Sequence, residues 1–459
     1  GQPGTPALLD LGSSQTGVPL EALRFSRPSS GAPHPAVLLI GQQHGDEPAG
    51  AEALLVIAQQ LMPGGSLDSL LDRIDVLILP RANPDGAAMN RRGTASGIDP
   101  NRDQLLLRTP EAQAQAQLMR DYNPVVVVDA HEFAALDRSV EKFDAAQRFD
   151  ALIQYAMVAN LPPLVTRASE EWFRVPMLQV LKAQGLSSEW YYTISADPAD
   201  KKLSMGGVQP DTGRNVNGLR NAVSFLIETR GADLGRAHLL RRVHTQVIAI
   251  TSVLNNAATR AEDLQKLRRF VDADVAAKAC RGDLIVEAAP TASEYTLAML
   301  DPRTGADRSV TVAWDSALAL TPRTRRARPC GYWLSAGQSD AVLRLRALGV
   351  QVQRLDEAGE MRSESYVEAP RPPGTGADLL AASLAGGAAR RVKVSVAPTL
   401  LDALEGSYYV GLDQPLANLV AAALEPDSPS SFVANGVIDS VRDEARISRL
   451  PKLRMSAVP

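Results

Sequence analysis

Residues 36–48 read Ala-Val-Leu-Leu-Ile-Gly-Gln-Gln-His-Gly-Asp-Glu-Pro, and the predicted fold is built around them. The five apolar residues predict a buried parallel strand, and Pro48 suits the first turn of a following helix. His44 and Glu47 therefore lie at the carboxyl end of a strand, where open α/β sheets bind their ligands. A catalytic zinc ion needs two such ligands, a third protein ligand and a water molecule. Taken alone, however, a solvated loop is the simpler interpretation of this pair.

A second buried strand also ends at a histidine. Residues 124–133 read Pro-Val-Val-Val-Val-Asp-Ala-His-Glu-Phe, with the valines before His131. Two strands that each bring a histidine to one sheet edge indicate a metal site better than either strand alone. Asp129 either orients the His131 imidazole through its second nitrogen, as metal-bound histidines usually require, or caps the following loop.

Two further segments place polar side chains after buried strands. The loop of residues 81–103 is rich in Arg and Asn, which can bind a carboxylate, although a salt-bridged surface loop is the simpler interpretation. The apolar stretch 219–227 ends at Glu228. A carboxylate there is costly unless it is paired, metal-linked or exposed in a cleft, so Glu228 is a potential general base. The alternative is a surface ion pair between Glu228 and Arg230.

Composition and charge exclude some classes of partner. The 459 residues include 48 basic and 52 acidic side chains, a net charge of −4. Nothing in this balance favours nucleic acid or an anionic membrane surface. No apolar run is long enough to span a membrane. We therefore expect neither nucleic acid nor a membrane as a partner.

The beginning of the sequence and its two cysteines bear on the compartment. The sequence begins at Gly1 and not at methionine, so we expect a chain whose targeting segment was removed. A periplasmic or secreted protein is the favoured prediction, with a cytoplasmic location as the alternative. Cys280 and Cys330 form either one disulfide in an oxidising compartment or two buried thiols.

The order of the predicted elements indicates an α/β fold. We expect a mixed, mostly parallel sheet flanked by helices, followed by a smaller α+β or mostly β domain. Residues 1–15 predict a loose lead-in, residues 16–262 the main domain, and residues 263–459 a C-terminal domain of unknown role. A helix is predicted over residues 143–159, and the polar loops of residues 194–217 are expected to line a cleft.

Six separated elements together resemble the zinc carboxypeptidases of the M14 type, and most closely their compact bacterial branch. In chain order they are His44-Gly45-Asp46-Glu47, Asn83-Pro84-Asp85-Gly86, Arg92, Asp99-Pro100-Asn101-Arg102, His131 and Glu228. The similarity spans about residues 20–260, and the order and flanking strands agree with the family. It implies a zinc peptidase catalytic domain over residues 16–262.

The resemblance also implies the roles of individual residues. It implies that His44, Glu47 and His131 bind one zinc ion. It implies that this ion activates a water molecule for which Glu228 is the general base. The implied enzyme is a hydrolase, a zinc metallocarboxypeptidase that releases a C-terminal amino acid from a peptide.

For substrate contacts, the resemblance implies that Arg92 stabilises the oxyanion, with Arg91 as the competing candidate. It implies that Asn101 and Arg102 hold the terminal carboxylate. Arg92 is preferred because its spacing to Asn101 resembles that in bacterial members of the family.

One departure from the family opens alternatives for the substrate. Well-known members carry a mobile tyrosine before the catalytic glutamate, but no tyrosine lies between Tyr192 and Glu228. Arg214 or Asn215 is a possible substitute in gripping the carboxylate. The alternative functions are therefore an amidase or deacylase of N-acyl amino acids or cell-wall peptides, and an inactive binding module on the same fold.

Overall fold

The structure is a computed structural model that describes residues 5–28, 33–134, 138–195, 197, 199–369, 390 and 392–458. Within these residues the chain forms three β-sheets. No helix of the described part is both long and apolar enough to cross a bilayer.

The chain contains both strands and helices, which do not alternate regularly. The strands are β1 (Ala7–Ser13), β2 (Pro19–Phe25), β3 (Ala36–Gly41), β4 (Asp75–Leu79), β5 (Val126–Phe133), β6 (Ala151–Tyr155), β7 (Ser188–Trp190), β8 (Thr193–Ile194), β9 (Leu203–Ser204), β10 (Val223–Arg230), β11 (Asp283–Leu300), β12 (Asp307–Ala327), β13 (Gly331–Leu334), β14 (Gln353–Leu355), β15 (Gly359–Glu368), β16 (Val394–Ala403), β17 (Tyr408–Gly411), β18 (Glu444–Ile447) and β19 (Met455–Ala457). The helices are α1 (Pro48–Leu61), α2 (Pro84–Met89), α3 (Pro110–Tyr122), α4 (Ser139–Phe143), α5 (Pro163–Ala168), α6 (Val175–Ala183), α7 (Gly213–Leu219), α8 (Leu239–Thr259), α9 (Ala261–Ala276), α10 (Ser339–Ala347) and α11 (Ala417–Leu424).

The first sheet carries the predicted metal ligands. In the described residues its strand order is β1-β2-β4-β3-β5-β10-β6-β7, and β3, β5 and β10 are parallel neighbours at its centre. Val37 and Leu39 of β3 belong to the core that includes α1, whereas Leu38 and Ile40 pack with residues of α3. Both faces of β3 are therefore covered by helices, which explains its continuous apolar run. The prediction of a mostly parallel sheet flanked by helices is confirmed.

The edge strand β1 corrects the prediction that residues 1–15 form a loose lead-in. This strand pairs antiparallel with β2 at the edge of the first sheet. Leu9 and Leu11 are two positions apart, so they face the same side and pack against the core. Because Gly, Pro, Ser and Thr residues surround it, this short alternation of apolar and polar residues does not stand out in the sequence. Residues 1–4 of the predicted lead-in lie outside the described residues.

The predicted helix over residues 143–159 is wrong. The strand β6 occupies the middle of that range and pairs antiparallel with β10. All five of its side chains are buried. A strand buried on both faces shows no alternation, so periodicity cannot separate it from a buried helix.

The C-terminal half is mostly β, as predicted. The described part of the second sheet has the order β11-β12-β9-β8, and the third has the order β16-β15-β18-β13-β17-β14-β19. A disulfide joins Cys280 to Cys330, which is the first of the two alternatives for these cysteines. Because β8 and β9 come from the main domain, the second sheet combines strands from both sides of the predicted boundary at residue 262.

Candidate metal centre

The turn after β3 places His44 and Glu47 at the carboxyl edge of the first sheet. The backbone N–H of Glu47 donates to the carbonyl of His44 at 3.2 Å, and α1 begins at the next residue. Gly45 packs directly on the backbone of α2, since a Cβ at this position would lie 1.9 Å from the carbonyl carbon of Gly86. Only glycine fits there, and the close contact fixes the turn that presents both side chains.

Three buried side chains converge at this edge. The Glu47 carboxylate lies with Oε1 2.7 Å from Nδ1 of His44 and with Oε2 2.8 Å from Nδ1 of His131. The two Nδ1 atoms are 3.1 Å apart. Among the described residues, these three side chains form the group of His, Cys, Asp or Glu residues that could hold a metal ion. The structure therefore brings together the three candidate ligands that the sequence suggested.

The electrostatics of this cluster favour its charged forms. Burial alone would raise the pKa of Glu47, but the two adjacent imidazoles hold it well below its usual range. Burial alone would lower the pKa of His131, yet Asp129 and Glu47 raise it well above its ordinary value. The pKa of His44 is raised in the same way, by Glu47 and Asp99 against burial. The site thus concentrates negative charge around two imidazoles, which suits a cation.

Each imidazole is oriented by a carboxylate on its other nitrogen. Nε2 of His44 lies 3.1 Å from Oδ1 of Asp99, and Nε2 of His131 lies 3.0 Å from Oδ1 of Asp129. The Gln43 amide in turn donates to Oδ2 of Asp129 at 2.6 Å. Asp129 therefore lies where it can orient the His131 imidazole, the first of its two predicted alternatives, and both Nδ1 atoms face the Glu47 carboxylate.

Arg92 contacts the same carboxylates as the candidate ligands. Its Nε and Nη2 donate to Oδ2 of Asp99 at 3.1 and 2.9 Å, and its Nη1 lies 3.5 Å from Oε1 of Glu47. The side chain is half-exposed and lines the cleft. Arg91, the competing candidate, is exposed and does not line this cleft.

Asn101 and Arg102 lie on the turn that follows Asp99. Nδ2 of Asn101 is 3.3 Å from Nε2 of His131, and its Oδ1 accepts from the backbone N–H of Gly213 at 2.8 Å. Arg102 is half-exposed at the cleft, with its Nε 3.9 Å from Oδ2 of Asp211. Asn101 is thus fixed in the site, whereas the Arg102 guanidinium is open to a ligand.

Glu228 lies beside the three candidate ligands, on the next strand. It pairs in parallel register with His131 and lines the cleft while remaining buried. Burial and the nearby Glu47 carboxylate raise its pKa to about 7, against the lowering effect of the two imidazoles. Nε of Arg230 is buried without a hydrogen-bond partner, and no ion pair joins Arg230 to Glu228 among the described residues, so the alternative interpretation of Glu228 is not supported.

A cleft of ≈ 620 Å³ opens above this edge of the sheet. Thr212 lines it, as expected for the loops of residues 194–217, and so does Tyr191, which the sequence did not single out because residues 134–220 show no clear periodicity. Burial raises the pKa of Tyr191, and the guanidinium of Arg214 lies 5.8 Å from the centre of its ring. Tyr191 therefore supplies the cleft with a tyrosine from an unexpected position in the chain.

Glu132 also borders the cleft but is already engaged. Its Oε1 lies 2.6 Å from Nε of Arg242, and its Oε2 accepts from the backbone N–H of Ala49 at 2.9 Å. Both groups of this ion pair are almost fully buried. Glu132 is thus a structural carboxylate that joins β5 to α1 and α8.

Sequence comparisons identify proteins that are similar to this chain. The family model described as zinc carboxypeptidase, of the M14 peptidases, matches residues 2–107. Carboxypeptidase 2 of Trichophyton rubrum is 29% identical over 451 residues, which cover 95% of this chain and 81% of that protein. Carboxypeptidase SOL1 of Arabidopsis thaliana is 35% identical over 129 residues, or 25% of this chain and 26% of that protein.

Solved structures give more distant similarities. A metallo-carboxypeptidase from Burkholderia cenocepacia aligns with a TM-score of 0.44 and 17% identity, over 57% of this chain and 67% of that one. Carboxypeptidase A from Helicoverpa armigera aligns with a TM-score of 0.41 and 16% identity, over 57% of this chain and 70% of that one.

Proposed function

We propose that this chain is a zinc carboxypeptidase of the M14 type, a hydrolase, and that it releases the C-terminal amino acid of a peptide by zinc-dependent hydrolysis. The observation that carries the proposal is the convergence of His44, Glu47 and His131 on one point, with Glu228 in register beside it.

The donor set fits one zinc ion. Two imidazole nitrogens and a carboxylate are ligands that a catalytic zinc site uses, and such a site leaves a further position open for water. For a tetrahedral ion with Zn–N distances of about 2.0–2.1 Å, the two nitrogens should be roughly 3.3 Å apart. The observed separation of the two Nδ1 atoms is 3.1 Å. His44, Glu47 and His131 would hold the ion, with Asp99 and Asp129 orienting the imidazoles.

In the proposed reaction, Glu228 takes a proton from the attacking water and later passes it to the leaving amine. When bound, a zinc ion supplies Lewis acidity and lowers the pKa of water towards neutrality. Arg92 donates to the oxyanion that develops on the scissile carbonyl, a contact typically worth roughly 3–4 kcal/mol. No nucleophilic side chain is required.

Asn101 and Arg102 bind the terminal carboxylate of the substrate in this proposal. The guanidinium of Arg102 matches a carboxylate with two parallel donors. Because it is half-exposed and its nearest carboxylate, Asp211, is 3.9 Å away, it is available to a substrate at the mouth of the cleft. This contact would place the last peptide bond beside Glu228.

The metal assignment is tested with the variant His131→Ala. We expect it to lose stoichiometric zinc and all hydrolytic activity while keeping its far-UV circular dichroism spectrum, because the ligand lies at the end of a strand. His244→Ala is the matched control, since His244 is exposed on α8 and should keep both zinc and activity. A His131→Ala protein that keeps one tightly bound zinc would contradict the assignment.

The reaction is tested with peptides that carry either a free or an amidated C-terminus. We expect the wild type to cleave only the free carboxylate efficiently, and Arg102→Ala to raise KM for it. The Arg102→Ala substitution and amidation of the C-terminus together should raise the activation free energy by less than the sum of their separate effects. Equal cleavage of both peptides would exclude a carboxypeptidase, and cleavage of N-acyl amino acids alone would favour the amidase.

A further inference from the structure

Arg214 is a buried cation at the inner end of the cleft. It is the second residue of α7, its exposed fraction is 3%, and it lines the same cleft as Glu228. Nη2 donates to the carbonyl of Gly207 at 2.8 Å. Its Nε is buried and has no hydrogen-bond partner within the described part of the chain. The guanidinium is therefore only partly satisfied.

No carboxylate forms an ion pair with Arg214 within the described residues. Burial, with Arg102 adding to it, lowers the pKa of Arg214, and the more distant Tyr191, Asp211 and Glu228 only partly offset this effect. A buried charge without a partner is costly, and arginines in folded proteins normally find a carboxylate. In a cleft that is open to ligands, the missing carboxylate can come from the substrate.

The surroundings of Arg214 define a small polar end to the cleft. The hydroxyl of Thr212 is buried and also lacks a hydrogen-bond partner within the described residues. Leu152 and Leu226 line the cleft as well, so the polar groups are set among apolar side chains. In such surroundings a charge-assisted hydrogen bond is stronger than it is in water.

Two arginines thus line the same cleft at different depths. Arg102 is half-exposed, and in the proposed function it binds the terminal carboxylate. Arg214 lies deeper and needs a second anionic group. We infer that Arg214 binds the side-chain carboxylate of the substrate's last residue, so that the enzyme removes C-terminal glutamate or aspartate. This inference rests on the proposed carboxypeptidase function and adds its specificity.

The test compares blocked dipeptides that are identical except for a C-terminal Glu, Gln, Leu or Lys. We expect the wild-type kcat/KM for Glu to exceed that for Gln by at least ~10²-fold, because an uncharged amide leaves the guanidinium without its counter-charge. Free L-glutamate should also inhibit as a product more strongly than L-glutamine. The Leu and Lys peptides should be poorer substrates than the Glu peptide.

The variant Arg214→Met removes the guanidinium while keeping an apolar stem. We expect its Glu-to-Gln ratio of kcat/KM to fall to within ~3-fold of unity, with zinc content and circular dichroism retained. Arg220→Met is the matched control. Arg220 is a buried arginine that caps the end of the same helix and does not line the cleft, so this variant should keep the wild-type ratio.

The outcomes separate the specificity from the activity. Release of Leu or Lys in preference to Glu by the wild type would overturn the role of Arg214 and leave the carboxypeptidase function intact. Equal losses on the Glu and Gln peptides in Arg214→Met would also overturn it, since Arg214 would then bind the terminal carboxylate. If the wild type released no C-terminal residue, both proposals would fail. Should Arg214→Met not fold, the wild-type substrate order and the product inhibition still decide.

Discussion

At the residue scale, the proposed reaction depends most directly on Glu228. Replacing it with Gln removes the proton acceptor and keeps the shape of the side chain. We expect Glu228→Gln to retain zinc and to lower kcat by at least ~10²-fold, the scale of general-base contributions. Zinc content and turnover should be measured on the same preparation. Near wild-type turnover would contradict the assignment, and Glu132 could hardly replace Glu228 because it is committed to Arg242.

If Glu228 is the general base, its pKa predicts how the activity depends on pH. Burial and Glu47 raise that pKa to about 7, and a dication held by the candidate ligands would lower it. In the proposed reaction the ionised carboxylate is the active form, so kcat/KM should fall as the pH drops through a value below 7. The acid limb of the pH profile should be absent from the residual activity of Glu228→Gln. An unchanged acid limb would assign it to another group.

At the element scale, the strands that carry the candidate metal ligands could be predicted, but the short strands beside the cleft could not. The strands β3 and β5 combine a continuous apolar run with a polar end, a pattern that arises only where both faces of a strand are covered. In contrast, β7 has three residues and β8 and β9 have two each, which is too short for any periodicity. Tyr191 therefore reaches the cleft through tertiary contacts that the local sequence does not reveal.

The ion pair between Arg242 and Glu132 connects α8 to the central sheet. Arg242→Met would leave the Glu132 carboxylate buried without its partner. We expect the free energy of unfolding to fall by about 3–5 kcal/mol, measured by urea denaturation. Arg241→Met is the neighbouring control, because Arg241 is largely exposed and its pair with Asp150 should contribute only about 1 kcal/mol or less. Equal losses in the two variants would argue against a special role for the buried pair.

At the scale of the whole molecule, one buried carboxyl group makes stability depend on pH. Glu444 of β18 is buried, and neither of its carboxyl oxygens has a hydrogen-bond partner among the described residues. Burial, with Glu425 and Asp443 adding repulsion, raises its pKa well above the ordinary 4.5. The folded state therefore holds a proton that the unfolded state releases. The stability from this group is complete below pH ~4.5 and is lost as the pH rises towards the folded-state pKa.

Glu444→Gln tests this pH dependence. We expect the variant to unfold at a higher temperature than the wild type at pH 8, and the difference to shrink towards pH 4 because the wild-type carboxyl is then protonated. Glu360→Gln, an exposed change on the neighbouring strand β15, is the control. Its unfolding temperature should change between pH 4 and pH 8 by the same amount as that of the wild type. A constant offset between Glu444→Gln and the wild type at every pH would contradict the explanation.

The second sheet has a consequence for dividing this protein into fragments. The strands β8 and β9 pair with each other, and β9 pairs with β12, so the segment after Tyr192 depends on strands that lie more than 100 residues later. Thr193 and Ile194 of this segment line the cleft. A fragment that ends at residue 262 would keep every candidate metal ligand but would lack β12, with which β9 pairs, so this side of the cleft would lose its support. We expect such a fragment to bind zinc, to be cut by trypsin at Lys201 or Lys202, and to hydrolyse peptides poorly.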